Sequence, residues 1–191
     1  MITTTHAILN TALLGRKSNP ERNWPVVLGS ILPDVPMFLY FFFIVVFRDH
    51  FHWFRRYDLN EYHIRLFWVD WAHSIPLALA GVLICRLLKN NWGFFFFVAM
   101  GLHDLEDLPV HAEYAHRHFL PFSNWQFFSP ISYGDIRHHG AVVAPLEWLE
   151  VLICVAILER RDLRLGVQLF LLFVVVFQGL WMVYYFGGVH W

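Results

Sequence analysis

The sequence predicts an all-α protein, a multi-pass membrane helical bundle with a polar site at one end of the helices. Hydrophobic residues make up 58% of the 191 residues and charged residues only 15%, whereas soluble domains contain about 45–50% and about 25%. The apolar residues form runs that approach the roughly 20 residues a membrane helix needs. Twelve histidines lie mostly in the polar gaps between these runs. The length suits one integral membrane domain over residues 1–191.

The composition also excludes several classes of protein. An ordinary cytosolic enzyme, a disordered regulator and a disulfide-rich secreted domain all carry fewer long apolar runs or more cysteines. The net charge is −1 with neutral histidines, and no basic stripe with interleaved aromatics is present, so nucleic acid is not an expected partner. The two cysteines, Cys85 and Cys154, lie inside apolar runs and cannot build a zinc cluster.

The first predicted helices are short. Residues 6–14 predict a short amphipathic or re-entrant helix, with Thr5 as a candidate cap. Residues 24–47 are apolar but are interrupted by the sequence LPDVP at 32–36. Because proline lacks a backbone donor and disfavours helix in the residue before it, we predict two half-helices with a sharp joint.

Four later runs complete the bundle. Residues 75–88, 92–110 and 142–158 are apolar with a few charges, and each predicts a membrane-embedded helix. Leu165–Gly187 contains no charge and is long enough to span a bilayer. We therefore expect four to six membrane-embedded segments in an inner or plasma membrane.

Two polar stretches lie between these runs. Residues 48–72 combine charges with tryptophan and tyrosine, a composition that predicts an interfacial insertion at headgroup level. Residues 111–141 are rich in histidine, phenylalanine and proline, and predict a loop on the same side as the polar site.

Basic residues predict an orientation for the bundle. If the helices alternate in direction, three basic clusters fall on one side, and the positive-inside rule makes that side cytoplasmic. The clusters are Arg16, Lys17 and Arg22; Arg86 and Lys89; and Arg160, Arg161 and Arg164. The polar site is then expected on the non-cytoplasmic side.

The strongest local signal for chemistry is the sequence HDLEDLPVH at 103–111. In a helix, His103, Asp107 and His111 fall at i, i+4 and i+8 and line one face. Imidazole and carboxylate together suit zinc, manganese or iron rather than magnesium or calcium alone. Pro109 predicts a bend, so His111 is the less secure member of the three.

Three other segments place a histidine or an aspartate at a helix end on the same predicted side. Asp34 stands at the proline break, where it could instead cap the next half-helix. His73 opens the run at 75–88, where it could instead lie at the membrane interface beside a Ser74 cap. His6 lies early in the first helix and could be an exposed terminal residue.

The order of these motifs resembles the YdjM/YbcI-type family, membrane-bound proteins classed as metal-dependent hydrolases. The pieces cover residues 6 to about 130, and they are His6, Leu32-Pro33-Asp34, His73-Ser74, His103 to Asp107, and Leu120-Pro121-Phe122-Ser123. A looser similarity links the family to the all-helical fold of zinc-dependent phospholipase C and nucleases. The resemblance implies a helical protein whose histidines and aspartates bind metal.

The chain departs from the family pattern in two places. Pro36 stands where the family often carries a second acid, and residues 68–72 replace a His-Arg-Gly run. We predict that a divalent metal, zinc or manganese, is held by His6, Asp34, His73, His103 and Asp107. Asp104 or Asp70 would take a proton from the attacking water. The expected substrate is a phosphoester or another ester, with a lipid or another amphiphile suggested by location.

Other polar residues are expected to have no catalytic role. Arg137, His138 and His139 could face developing negative charge, but a solvated turn is the favoured interpretation. His50, His52, His63, His116 and His118 are expected at the interface. Two other functions stay open: a small transporter, which needs polar groups along the whole membrane depth, and a structural subunit, which predicts a site without metal.

Overall fold

The computed structural model describes residues 1–43, 67–112, 115–161 and 165–187. Its helices are α1 (Thr3–Leu14), α2 (Asn23–Ile31), α3 (Val35–Phe43), α4 (Phe67–Ala72), α5 (Ile75–Leu87), α6 (Asn91–Asp107), α7 (Gly140–Glu159) and α8 (Leu165–Gly187). Every regular element in these ranges is a helix or a 3-10 turn, which confirms the all-α prediction for them. Of the predicted interfacial insertion, only the part that forms α4 lies within the described residues.

Helix α6 organises the bundle, because it packs against α1, α2 and α5. Helix α1 also packs against α7, which in turn contacts α8. Between α1, α7 and α8 lies an apolar core that includes Ile8, Val151 and Val174. Nearly all of the polar side chains described below enter the bundle from these helices or from the loop after α6.

The predicted break near residue 33 is present but is gentler than expected. A 3-10 turn, Leu32–Asp34, separates α2 from α3. Leu32 (φ −55°, ψ −41°) and Val35 (φ −55°, ψ −44°), the residues before the two prolines, keep right-handed helical dihedrals. The joint is therefore a tightened helical turn and not an extended link. It leaves the Asp34 side chain buried.

Of the two predicted caps, one is confirmed and one is wrong. Ser74 is the N-cap of α5: its Oγ accepts from the Leu77 backbone N–H at 3.3 Å and donates to the Leu120 carbonyl at 2.5 Å. Helix α1 begins at Thr3, and Thr5 lies inside it. The Thr5 hydroxyl instead donates to Glu147 Oε1 at 2.6 Å, because that buried carboxylate needs a donor.

Arg22 and Arg161 lie at the end of the bundle opposite the acidic residues of α6. Arg161, just after α7, donates to the carbonyls of Ala12 and Gly15 at 2.8 Å each, at the end of α1. Arg22 lies over the ring of Phe95, near the start of α6. Asp107 lies at the other end of α6. The helix directions therefore agree with the alternation used to predict the orientation.

Removing the Arg161 side chain is expected to destabilise the bundle. Arg161→Gln leaves carbonyls in the last turn of α1 without their charged donor, which we expect to lower the free energy of unfolding by about 1–3 kcal/mol. Thermal unfolding in detergent measures this. Arg160→Gln is the matched control, because Arg160 is exposed and surface changes stay within about 0.5 kcal/mol. Equal melting temperatures for the two variants would contradict the expectation.

Among the residues that the structure describes, two stretches are long and apolar enough to cross a membrane, judged by length and composition. They are Trp68–Leu87, with mean hydropathy 1.4, and Gly140–Glu159, with mean hydropathy 2.2. A buried core helix of a soluble protein passes the same test. Here, however, large apolar side chains such as Leu83, Ile153 and Leu172 are more than half exposed.

Candidate metal centre

The structure brings all five predicted ligands together at one end of the helices. Each has no more than 6% of its surface exposed: His6, Asp34, His73, His103 and Asp107. They come from α1, from the turn after α2, from the residues before α5 and from the last turns of α6. Together with His116 from the loop after α6, these segments form three overlapping groups, and the donor atoms of each group lie within 4.8 Å of one another.

Two histidines present the same ring nitrogen to the centre of this cluster. His73 Nδ1 lies 2.8 Å from the Val69 carbonyl, and His103 Nδ1 lies 2.7 Å from the Ser30 carbonyl. A carbonyl can only accept, so both Nδ1 atoms carry the hydrogen and donate it. In the neutral rings, each Nε2 therefore presents a lone pair. This is the usual orientation of a metal-binding histidine held by a backbone partner.

Two acceptor nitrogens lie side by side, and an oxygen of each of two aspartates lies near both of them. His73 Nε2 lies 3.3 Å from His103 Nε2 and 3.5 Å from Asp34 Oδ1. His103 Nε2 lies 3.8 Å from Asp34 Oδ1 and 3.3 Å from Asp107 Oδ2. His73 Nε2 lies 3.8 Å from Asp107 Oδ2. Because all four atoms are acceptors, they repel one another unless a cation or an added proton lies among them.

The two histidine nitrogens and either aspartate oxygen have the spacing of donors to one metal ion. Zinc binds nitrogen and oxygen donors at about 2.0–2.2 Å, which places the donors of a tetrahedral site about 3.3–3.6 Å apart. The five measured separations run from 3.3 to 3.8 Å. The two histidines with either aspartate therefore fit a divalent cation.

His6 contacts a different oxygen from the two central histidines. Its Nε2 lies 3.0 Å from Asp107 Oδ1, and its Nδ1 lies 2.6 Å from Glu106 Oε2. The ring also stacks on His103 at 3.7 Å. Asp107 Oδ1 receives further contacts at 3.1 Å from His111 and at 2.6 Å from the amino group of Met1. His6 therefore holds Asp107 in place, and it forms one of the three groups with His103 and Asp107.

Two histidines that the sequence analysis assigned to the interface are buried against the cluster. His116 stacks on His73 at 3.9 Å with an interplanar angle of 14°. His118 Nδ1 lies 3.1 Å from the His73 carbonyl. Burial lowers the pKa of His116 to about 3 and that of His118 to about 4. The assignment was wrong because the loop folds back onto α5.

The prediction that this loop lies on the side of the site was the signal that could have identified both histidines. His116 also forms a possible metal group with His73 and Asp107. Glu147 of α7 was missed as well. Its Oε1 accepts from the Ile2 backbone N–H at 2.7 Å and from the Thr5 hydroxyl, so it anchors the segment that carries His6.

The two predicted proton acceptors have different surroundings. Asp70 Oδ2 accepts from Arg117 Nε at 2.6 Å, and Asp70 Oδ1 lies 3.4 Å from His116 Nδ1. Asp70 is therefore paired with Arg117 and lies beside His116. Asp104 is completely buried, and within the described part of the chain neither of its oxygens has a hydrogen-bond partner.

The predicted solvated turn agrees with the structure. The Arg137 side chain is 67% exposed, and it donates to Asp135 at 3.0 Å. His138 contacts the same carboxylate at 2.9 Å. These hydrogen bonds, that from Arg137 foremost, lower the pKa of Asp135 to about 2. His50, His52 and His63 lie outside the described residues.

Comparisons with family models, with curated proteins and with solved structures found no match to this chain. The family resemblance therefore rests on the motifs of the sequence.

Proposed function

We propose that this chain is a membrane-bound, metal-dependent hydrolase. The observation that carries the proposal is that two oriented imidazole nitrogens lie 3.3 Å apart and that each lies 3.3–3.8 Å from two carboxylate oxygens. These atoms belong to Asp34, His73, His103 and Asp107. A mixed nitrogen and oxygen set favours zinc or manganese.

The side chains around the four donors support the same chemistry. Val69 and Ser30 carbonyls hold the two histidine rings, and the Thr3 hydroxyl donates to the second oxygen of Asp34. His6 Nε2 contacts the second oxygen of Asp107 in a similar way. Such outer contacts fix ligand orientation and typically change metal affinity about 10–100-fold when they are removed.

A divalent cation at this place would acidify a water and polarise a phosphoryl or carbonyl oxygen. The protein itself must then accept a proton and exclude bulk water. Asp104 is our candidate acceptor, since its buried oxygens have no hydrogen-bond partner among the described residues. The loop that carries His116 and His118 covers His73 and limits the entry of water.

The exposed apolar faces support a place in the membrane. Leucine, valine and phenylalanine side chains cover the outer surfaces of α5, α7 and α8, far more than a soluble monomer usually exposes. A site at the helix ends of such a bundle suits an amphiphilic ester. Because Arg22 and Arg161 lie at the opposite end, our proposal puts this site on the non-cytoplasmic side, following the positive-inside rule.

The position of the polar groups favours a hydrolase over a transporter. A transport path needs polar residues along the whole membrane depth, whereas the His/Asp cluster described here gathers at one end. In α8, Gln178 faces the Thr4 and Thr5 hydroxyls of α1 at 2.8 and 3.0 Å, so it fastens two helices together.

The test of this function uses the purified full chain in detergent with three substrates. These are a nitrophenyl phosphate monoester, a nitrophenyl phosphodiester and a nitrophenyl carboxylate ester. We expect at least one to be hydrolysed, with loss of activity after chelation and recovery with zinc or manganese. His103→Ala should be inactive, whereas His138→Ala should match wild type. Activity that survives chelation would contradict the proposal, as would a metal-loaded protein that cleaves none of the three.

A further inference from the structure

A second group of charged side chains lies at the end of the bundle away from the metal centre. The link between α1 and α2 folds back on itself: the Arg16 backbone N–H donates to Asn23 Oδ1 at 3.1 Å, and the Arg22 backbone N–H donates to the Asn19 carbonyl at 3.2 Å. These contacts bring Arg16 and Arg22 close together. Burial and the positive charge of Arg16 lower the pKa of Arg22.

The Arg22 side chain is held in place, but one of its hydrogen-bond donors has no acceptor within the described ranges. Its guanidinium carbon lies 3.8 Å above the centre of the Phe95 ring, which fixes the plane of the group. Its Nε is buried and has no hydrogen-bond partner in the part of the chain that the structure describes. A buried donor without an acceptor is unfavourable. The geometry therefore predicts an anion or another acceptor beside Arg22.

An apolar stripe begins next to this guanidinium and runs along α2. Trp24, Leu28 and Leu32 follow one another at intervals of four residues, and they are 69%, 45% and 39% exposed. Residues at this spacing share one face of a helix. Trp92, at the start of α6, is 50% exposed at the same end of the bundle. Exposed tryptophans are typical of the headgroup level of a membrane.

We propose that Arg16 and Arg22 bind the phosphate of an anionic phospholipid, whose acyl chain lies along Trp24, Leu28 and Leu32. The charges are complementary, and a guanidinium offers the planar pair of donors that a phosphate accepts. The apolar stripe distinguishes a lipid from a free phosphate, because only a lipid covers it. This proposal rests on the membrane placement proposed above but is independent of hydrolysis.

The experiment measures the melting temperature of the full chain in neutral detergent as lipid is added. We expect phosphatidylglycerol to raise the melting temperature of wild type, and to do so at a concentration at least about tenfold lower than phosphatidylcholine. Arg22→Gln and Arg16→Gln should each lose most of this response. Arg160→Gln removes one exposed charge at the same end, and this variant should keep the response to phosphatidylglycerol. Glycerol phosphate and inorganic phosphate, which lack acyl chains, should have little effect.

Several outcomes would overturn the proposal. Equal responses to the two lipids, or an Arg160→Gln protein that loses as much as Arg22→Gln, would indicate general attraction to the bilayer. A full response to inorganic phosphate would indicate a phosphate site without a lipid. If Arg22→Gln does not fold, Arg16→Gln decides alone, because Arg16 is exposed. Extraction of the protein from cell membranes by alkaline carbonate would contradict the membrane placement itself.

Discussion

The His103→Ala protein should retain almost no divalent metal after purification, whereas wild type should hold about one equivalent. His103 Nε2 is within 3.8 Å of the other three donor atoms, so its removal opens one face of the coordination shell. We expect the metal affinity to fall by more than the roughly 100-fold seen when an outer contact is lost. Elemental analysis of detergent-purified protein, before and after a chelator wash, measures the metal content.

Two further variants make this result specific. Asp107→Asn keeps the size of the side chain but removes its charge, and it should also lose the metal. His138→Ala removes a histidine that contacts Asp135 in the surface turn, and it should keep a full equivalent. Full metal content in both site variants would show that the ion, if present, is bound elsewhere.

The Gly29→Ala substitution should be the most damaging change of a single methyl group. A Cβ at Gly29 would lie 2.1 Å from the Phe96 carbonyl oxygen and 2.9 Å from its carbon. Both atoms belong to the backbone of α6, so the clash can be relieved only if α2 and α6 move apart. We expect the free energy of unfolding to fall by about 1–3 kcal/mol or more. We also expect weaker metal binding, because α6 carries His103 and Asp34 lies in the turn that follows α2. Thermal unfolding and elemental analysis measure the two effects.

Gly101→Ala is the matched control for this prediction. Gly101 is also a helical glycine of the α2–α5–α6 contact region, but a Cβ there would lie 3.4 Å from the Ala78 methyl group, an ordinary contact. Because alanine favours helix over glycine by about 1 kcal/mol, this variant should be as stable as wild type or slightly more stable. Similar losses in both variants would contradict the close approach of α2 and α6 at Gly29.

The sequence predicted the helices well because their ends carry local signals. Leu165–Gly187 has the predicted bounds, since its apolar run is uninterrupted. Ser74 and the prolines marked the start of α5 and the break after α2. That the five candidate residues lie close together could also be predicted from the sequence, because each lies at or near a helix end and alternating helices bring such ends to the same side.

The rest of the site depends on contacts between residues far apart in the chain. His116 meets His73, and Asp70 meets Arg117, across more than 40 residues. No periodicity encodes these pairs, since the loop conformation follows from tertiary contacts such as the Ser74 hydrogen bond to Leu120. His6 contacts one oxygen of Asp107, and His73 and His103 face the other oxygen. This difference likewise becomes visible only when the orientations of the rings are known.

The central claim is that one divalent cation lies among Asp34, His73, His103 and Asp107. Anomalous diffraction from crystals of the full chain, collected on both sides of the zinc or manganese absorption edge, tests it most directly. We predict an anomalous peak about 2.0–2.2 Å from the two histidine Nε2 atoms and from one oxygen of each aspartate. Metal-loaded crystals without a peak between these side chains, or with their only peak at another place, would contradict the claim.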